Sequence, residues 1–164
     1  MKNIIITLMC LLLTLGVNAQ NVTKTTHRKA VKTDLVTRGS MNIRKPDYIC
    51  ISTDAGKDQL IMDGTKFIMT TQGRQHVTDS RKNAQFATFH NVLHAVINGL
   101  PIPTGQDIST TIQGNQMTIT ITPASTKKRQ LFSSFVLVVD AKSSAIRSLR
   151  MNGRGDDYTI YRVL

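Results

Sequence analysis

Tryptophan is absent from this sequence, cysteine occurs twice, and acidic residues number 10 against 21 Lys and Arg. Each shortage removes an explanation. With only three Tyr and five Phe, none interleaved with the basic residues, the chain lacks the stacking platforms of a nucleic-acid-binding surface. No glycine loop of phosphate-cradling type occurs, and no Ser/His/Asp or Cys/His set stands out, so enzymatic activity finds no support. After residue 15 there is no long apolar run, which argues against a membrane span, since that needs roughly 20 apolar residues. A Pro/Gly-rich linker, a low-complexity tract and an internal repeat are likewise missing. The expectation is one soluble domain, large enough for a real core.

What is present begins with Met1-Lys-Asn, the apolar stretch Ile4–Leu15, and the small-residue exit Gly16-Val-Asn-Ala-Gln20. This is the layout of a secretory signal peptide, with cleavage expected after Ala19. Residues 1–19 are therefore read as the signal and residues 20–164 as a single exported domain. Cys10 lies mid-run behind Leu8 and Met9, the wrong place and the wrong neighbours for lipid anchoring. Its removal leaves Cys50 alone, unable to form an internal disulfide and read as a small buried apolar side chain in a strand. Past residue 19 the chain carries 20 basic and 10 acidic residues. Such a surplus favours anionic lipid surfaces or acidic proteins, although its scatter in pairs and triplets, such as Lys127-Lys128-Arg129, also describes solvated loops.

The dominant pattern is alternation. Met117, Ile119 and Ile121 share one face of a strand and three threonines the other. Further strands are expected at Asn21–Lys29, Leu35–Arg44, Tyr48–Thr53, Gln59–Met62, Lys66–Thr71, Arg74–Thr78, Ile108–Gln113, Leu131–Asp140, Ala145–Met151 and Tyr158–Leu164. Asp63-Gly64, Gln72-Gly73, Gly114-Asn115 and Asn152-Gly153 supply the positive φ of short hairpins. About ten such strands in sequence make an antiparallel meander, either a strongly twisted sheet or a barrel. From Arg81 to Ile97, Phe86, Phe89, Leu93 and Val96 recur at helical spacing. Ser80 is the expected N-cap and Asn98-Gly99 the C-cap, while Pro101–Asp107 could add a short lid-like turn.

His90 and His94 lie four apart on this helix, but neither a third His nor a nearby carboxylate completes a metal site. No metal and no cofactor are expected. The remaining signal is flexible apolar side chains on the strands. Met41, Met62, Met69, Met117 and Met151 lie there with Phe67, and methionine adapts to irregular contents. Taken alone, this would describe an ordinary core.

Laid out in order, these segments resemble the LolA-like outer-membrane lipoprotein carriers over nearly all of the mature chain. The resemblance starts at Val22-Thr-Lys-Thr-Thr-His27 and continues through Gly39-Ser-Met-Asn-Ile-Arg-Lys-Pro-Asp-Tyr48. It then takes in Gln59-Leu-Ile-Met-Asp-Gly-Thr-Lys-Phe67, the helical insert, Lys127–Val138 and the closing strands. It implies a mainly β, α+β fold, an open antiparallel half-barrel of 10–11 strands with a helical lid over an apolar concavity. The implied activity is periplasmic carriage of lipoprotein acyl chains, without catalysis or cofactor. The cargo would come from an inner-membrane lipoprotein-releasing ABC transporter and pass to an unidentified outer-membrane acceptor; the carrier itself is expected to be a monomer. The lipid-binding cavity would be lined by Met41, Ile43, Ile49, Ile51, Leu60, Met62, Phe67, Met69, Phe86, Phe89, Leu93, Met117, Ile119, Ile121, Leu137 and Leu149. Arg44 and Lys45 are the candidate lid latch, with Lys45 standing where better-known carriers have an arginine before the proline. The usual N-terminal lid helix and C-terminal extension are missing, which makes this a compact variant. The alternative is a non-enzymatic periplasmic binding or envelope-sensing module on the same fold, for an acidic or lipid partner. A filled core beneath the helix would favour it.

Overall fold

Alternation of apolar and polar residues favours strands with one covered face, and among the described residues eleven strands form, the two edge strands with no buried residue. The computed structural model describes residues 19–123 and 132–164. The expected signal peptide up to Asn18, Lys127-Lys128-Arg129 and Leu131 lie outside the described residues. The strands are β1 (Gln20–His27), β2 (Leu35–Arg44), β3 (Tyr48–Thr53), β4 (Asp58–Asp63), β5 (Lys66–Thr71), β6 (Arg74–Asp79), β7 (Ile108–Gln113), β8 (Gln116–Ile121), β9 (Ser134–Asp140), β10 (Ile146–Asn152) and β11 (Tyr158–Val163). Among the described residues one α-helix, α1 (Ala84–Asn98), lies between β6 and β7.

All eleven strands join one open antiparallel sheet in the order β6-β5-β4-β3-β2-β1-β11-β10-β9-β8-β7. Two meanders, β1–β6 and β7–β11, are sewn together by the first and last strands, with Lys24 opposite Tyr161 and Val22 opposite Val163. The helix leaves edge strand β6 and its chain returns at the opposite edge, β7, so α1 lies across the concave face. Its apolar side is buried through Phe86, Phe89, Val92, Leu93 and Val96. Inward residues of the sheet meet it, among them Ile51, Phe67, Ile119, Phe135 and Leu137, forming one continuous core. Gly39 permits a close approach of β2 and β3: a Cβ there would lie 1.8 Å from the Ser52 carbonyl oxygen.

Several expectations change in detail. The N-cap is Asn83, whose side-chain oxygen accepts from the Gln85 amide at 3.0 Å. Ser80 instead begins a short 3-10 turn, Ser80–Lys82, because Asp79 accepts from the Arg81 amide first. Gly99 is the left-handed cap at φ 63°. Pro101–Asp107 is irregular up to a turn at Gln106–Asp107, with Ile102 tucked against the core. At the β10–β11 turn the positive φ falls on Gly155 rather than Gly153, in a loop closed by the Gly153 amide on the Asp157 carbonyl at 2.7 Å. Cys50 is half-buried rather than buried, because it alternates out of phase with the inward Ile49 and Ile51.

Candidate functional site

The alternation that makes the strands also delivers one apolar layer to the concave side. Met41, Ile49, Ile51, Leu60, Met62 and Phe67 reach it from β2–β5, and Ile119, Ile121, Leu137 and Leu149 from β8–β10. Helix α1 adds Phe86, Phe89 and Leu93, while Ile43, Met69 and Met117 pack, partly buried, around the margin. All the residues expected along a cavity are thus brought together. In this closed arrangement their partners are one another. Phe67 and Phe86 rings are 4.4 Å apart, Phe89 stacks on Phe135 at 4.5 Å, and Phe132 lies 5.3 Å from Phe135. Sequence reasoning omitted Phe135 and Phe132, although Phe135 sits in phase with Leu137 on its strand.

Open space lies at the two ends of this layer. The smaller cleft, about 330 Å³, opens where the C-terminus of α1 meets Ile43, Lys45 and Ile146. The larger, about 600 Å³, opens at the other end of the strands, against Met69, Met151, Phe132, Lys24, Asp58 and Tyr161.

Polar contacts hold α1 over the layer, and they differ from the expected latch. Arg44 stacks its guanidinium over the Tyr48 ring at 3.9 Å, and Lys45 is exposed at the rim of the smaller cleft. Their immediate neighbours reach the helix instead. The Pro46 carbonyl accepts from Asn98 Nδ2 at 2.6 Å, and the Asp47 carboxylate lies 3.5 Å from His90 Nε2. At the opposite side, Gln85 donates to the Phe132 carbonyl and Thr88 to Asp107 at 2.7 Å. Asn98, His90 and Asp47 were missed as a link because their partners are remote in sequence; the Lys-Pro turn was the available signal. His90 and His94 rings are 6.4 Å apart, and among the described residues no three His, Cys, Asp or Glu side chains gather as metal donors.

One charged pair sits inside. Lys24 Nζ donates to Asp58 Oδ2 at 2.6 Å, with both residues 7% exposed. Asp58 Oδ1 also accepts from the Gln72 amide at 3.1 Å. Burial pushes the Asp58 carboxyl up, but the Lys24 hydrogen bond, the Gln72 amide and the lysine charge outweigh it and hold the group below its ordinary value. The Tyr161 phenol beside them is pushed up by burial first and by the Asp58 charge second.

This arrangement, an open sheet with one apolar face under a helix, has a family counterpart: the profile of the outer membrane lipoprotein carrier protein LolA matches residues 17–163. The chain belongs to the LolA family. Similar solved structures include a LolA superfamily protein from Nitrosomonas europaea, with 7% identity, 88% of this chain and 82% of that chain covered, and a TM-score of 0.32. LprF from Mycobacterium bovis shows 10% identity, 91% and 85% coverage, and a TM-score of 0.37. The lipoprotein LppX from Mycobacterium tuberculosis shows 13% identity, 93% and 87% coverage, and a TM-score of 0.31. No curated protein matches the sequence. Among the described residues no helix is long and apolar enough to cross a membrane.

Proposed function

We propose that residues 20–164 form a single periplasmic domain, reached through the signal peptide at residues 1–19, that carries lipoprotein acyl chains without catalysing a reaction. The observation that carries this reading is the continuous apolar layer of the concave face, covered by a single helix tied down at its two ends by few polar contacts. Family membership supports the same role. The proposed ligand-facing residues are the sheet side chains now touching Phe86, Phe89 and Leu93, with Met41, Met62, Met69 and Met117 adapting to different chains. An inner-membrane lipoprotein-releasing ABC transporter would supply the cargo, and the carrier would act as a monomer.

The close packing sets the energetics. Lifting α1 off the sheet exposes five large apolar side chains, at about 1.5–3 kcal/mol each, or roughly 7–15 kcal/mol. An acyl chain of about 16 carbons contributes a comparable gain at about 0.8 kcal/mol per methylene. Cargo therefore replaces the helix contacts in kind, and the small balance between two large terms keeps binding reversible. Displacement of a fluorescent fatty-acid probe tests this directly. Saturable binding is expected, weakened by Phe89→Asp or Met117→Glu, and a protein that takes up no acylated probe or peptide is no carrier. The filled interior beneath α1 supports the second reading, a binding or envelope-sensing module with a permanently closed core, which a failure to bind the probe would leave standing.

A further inference from the structure

The larger cleft ends in a polar band that the apolar role of the layer leaves unused. Lys24 and Tyr161 face each other across β1 and β11, and Lys24 faces Thr37 across β1 and β2. Asp58 faces Thr53 across β3 and β4. Directly opposed residues of an antiparallel pair point to the same side, so these side chains form a strip across the concave face. A buried ion pair contributes little to stability that an apolar pair of similar volume would not match. Its presence amid apolar residues therefore calls for another reason.

The ion pair at the cleft points to a ligand. An ammonium group has three donors, and Lys24 uses one of them on Asp58 while its side chain lines the cleft. The neighbouring Thr53 and Thr37 hydroxyls have no hydrogen-bond partner among the described residues, but neither residue lines the cleft, where the strip is represented by Lys24, Asp58 and Tyr161. Donors left unpaired in a buried setting are costly, which makes the Lys24 ammonium the natural partner for an oxygen entering the cleft. The cleft lining is mixed, and its apolar members Met69, Met151 and Phe132 lie beside Lys24 and Asp58.

We propose that this strip is a head-group site for an acylated ligand. Lys24 donates to the carbonyl or carboxyl oxygen at the junction of chain and head, Asp58 holds the ammonium in place, and the chain runs inward past Met69 and Phe132. The site rests on the carrier reading and gives it a polarity: one end of the concavity recognises oxygen, the rest only hydrocarbon. The shared chemistry is an acyl oxygen, which could belong to a neutral ester or to a free carboxylate.

The test is competition against a fluorescent fatty-acid probe on the purified mature chain, using a monoacylglycerol, a free fatty acid and an alkane of equal chain length, all below their aggregation concentrations. A charge-assisted hydrogen bond predicts that an oxygen-bearing ligand binds about tenfold or more tighter than the alkane. Which of the two leads assigns the source as ester or carboxylate. Lys24→Met alone strands the Asp58 charge and could unfold the protein, so Lys24→Met/Asp58→Asn is the informative variant. It should bring the head-bearing ligands to within about twofold of the alkane. An unchanged preference in that variant, or no preference in the native protein, overturns the head-group site and leaves the carrier reading standing. If alkane and acyl ligands alike fail to compete and the probe itself does not bind, both fall.

Discussion

The middle of the concave face and its open end are built on opposite principles. Under α1, the Phe67, Phe86, Phe89 and Phe135 rings pack with no polar group among them. On β1–β4, whose Met41, Ile49, Ile51, Leu60 and Met62 join that core, Lys24, Thr37, Thr53 and Asp58 place charge and unpaired hydroxyls on the same face. The first region draws its stability from area and shape. The second draws little, because desolvating two charges consumes most of what their attraction returns. The contrast teaches that one strand can carry both programmes, with the division set by position along it.

The contrast can be broken by substitution. The largest effect is expected from Phe135→Ala, which empties the centre of the ring cluster at a fully buried position and should cost about 4 kcal/mol, read as a fall in denaturant midpoint at constant m-value. Lys24→Met should cost about 3 kcal/mol by leaving Asp58 charged and alone, and Lys24→Met/Asp58→Leu should recover most of it. If the double variant is as unstable as the single one, the polar end supports the fold after all. Third is the response to acid. The carboxyls of Asp58, Asp79, Asp140 and Asp157 are all held below their ordinary values by hydrogen bonds and basic neighbours. The folded state thus binds these protons more weakly than the unfolded chain, so their contribution is complete above about pH 4 and is lost as pH falls through the folded values. Melting temperature should drop on acidification, and the Lys24→Met/Asp58→Leu variant should show a shallower drop. The smallest effect belongs to Asn98→Ala, about 1 kcal/mol, which frees one end of α1. Amide exchange should then quicken in α1 more than in β9 and β10; uniform acceleration would show that the helix and sheet open as one unit.

The strands were legible because inward apolar residues alternate with polar ones, as in Met117–Ile121, and the helix because its phenylalanines keep helical spacing. The apolar layer followed from the same two periods. The polar band did not. Lys24, in Val22-Thr-Lys-Thr-Thr, lies in phase with the inward Val22, yet a lysine among threonines reads as a solvated face. Asp58 follows Gly56-Lys57 and reads as a turn, and its partner lies 34 residues away. The helix ties escaped for the same reason: the bond from Asn98 to Pro46 spans 52 residues and leaves no local signature. Lys45, singled out beside the proline, is one residue from the carbonyl that makes the contact.

The pairing of β1 with β11 also governs how this molecule comes into being. Within each meander, strands pair with their sequence neighbours, whose loops are far shorter than the chain between β1 and β11. Joining them brings residue 22 against residue 163, the longest loop closure the sheet requires. Until that step the apolar faces of both halves stand open to water and to other chains, and the seam strands are bare edges. The same seam that makes the concavity continuous thus carries the largest loop-closure entropy in the sheet.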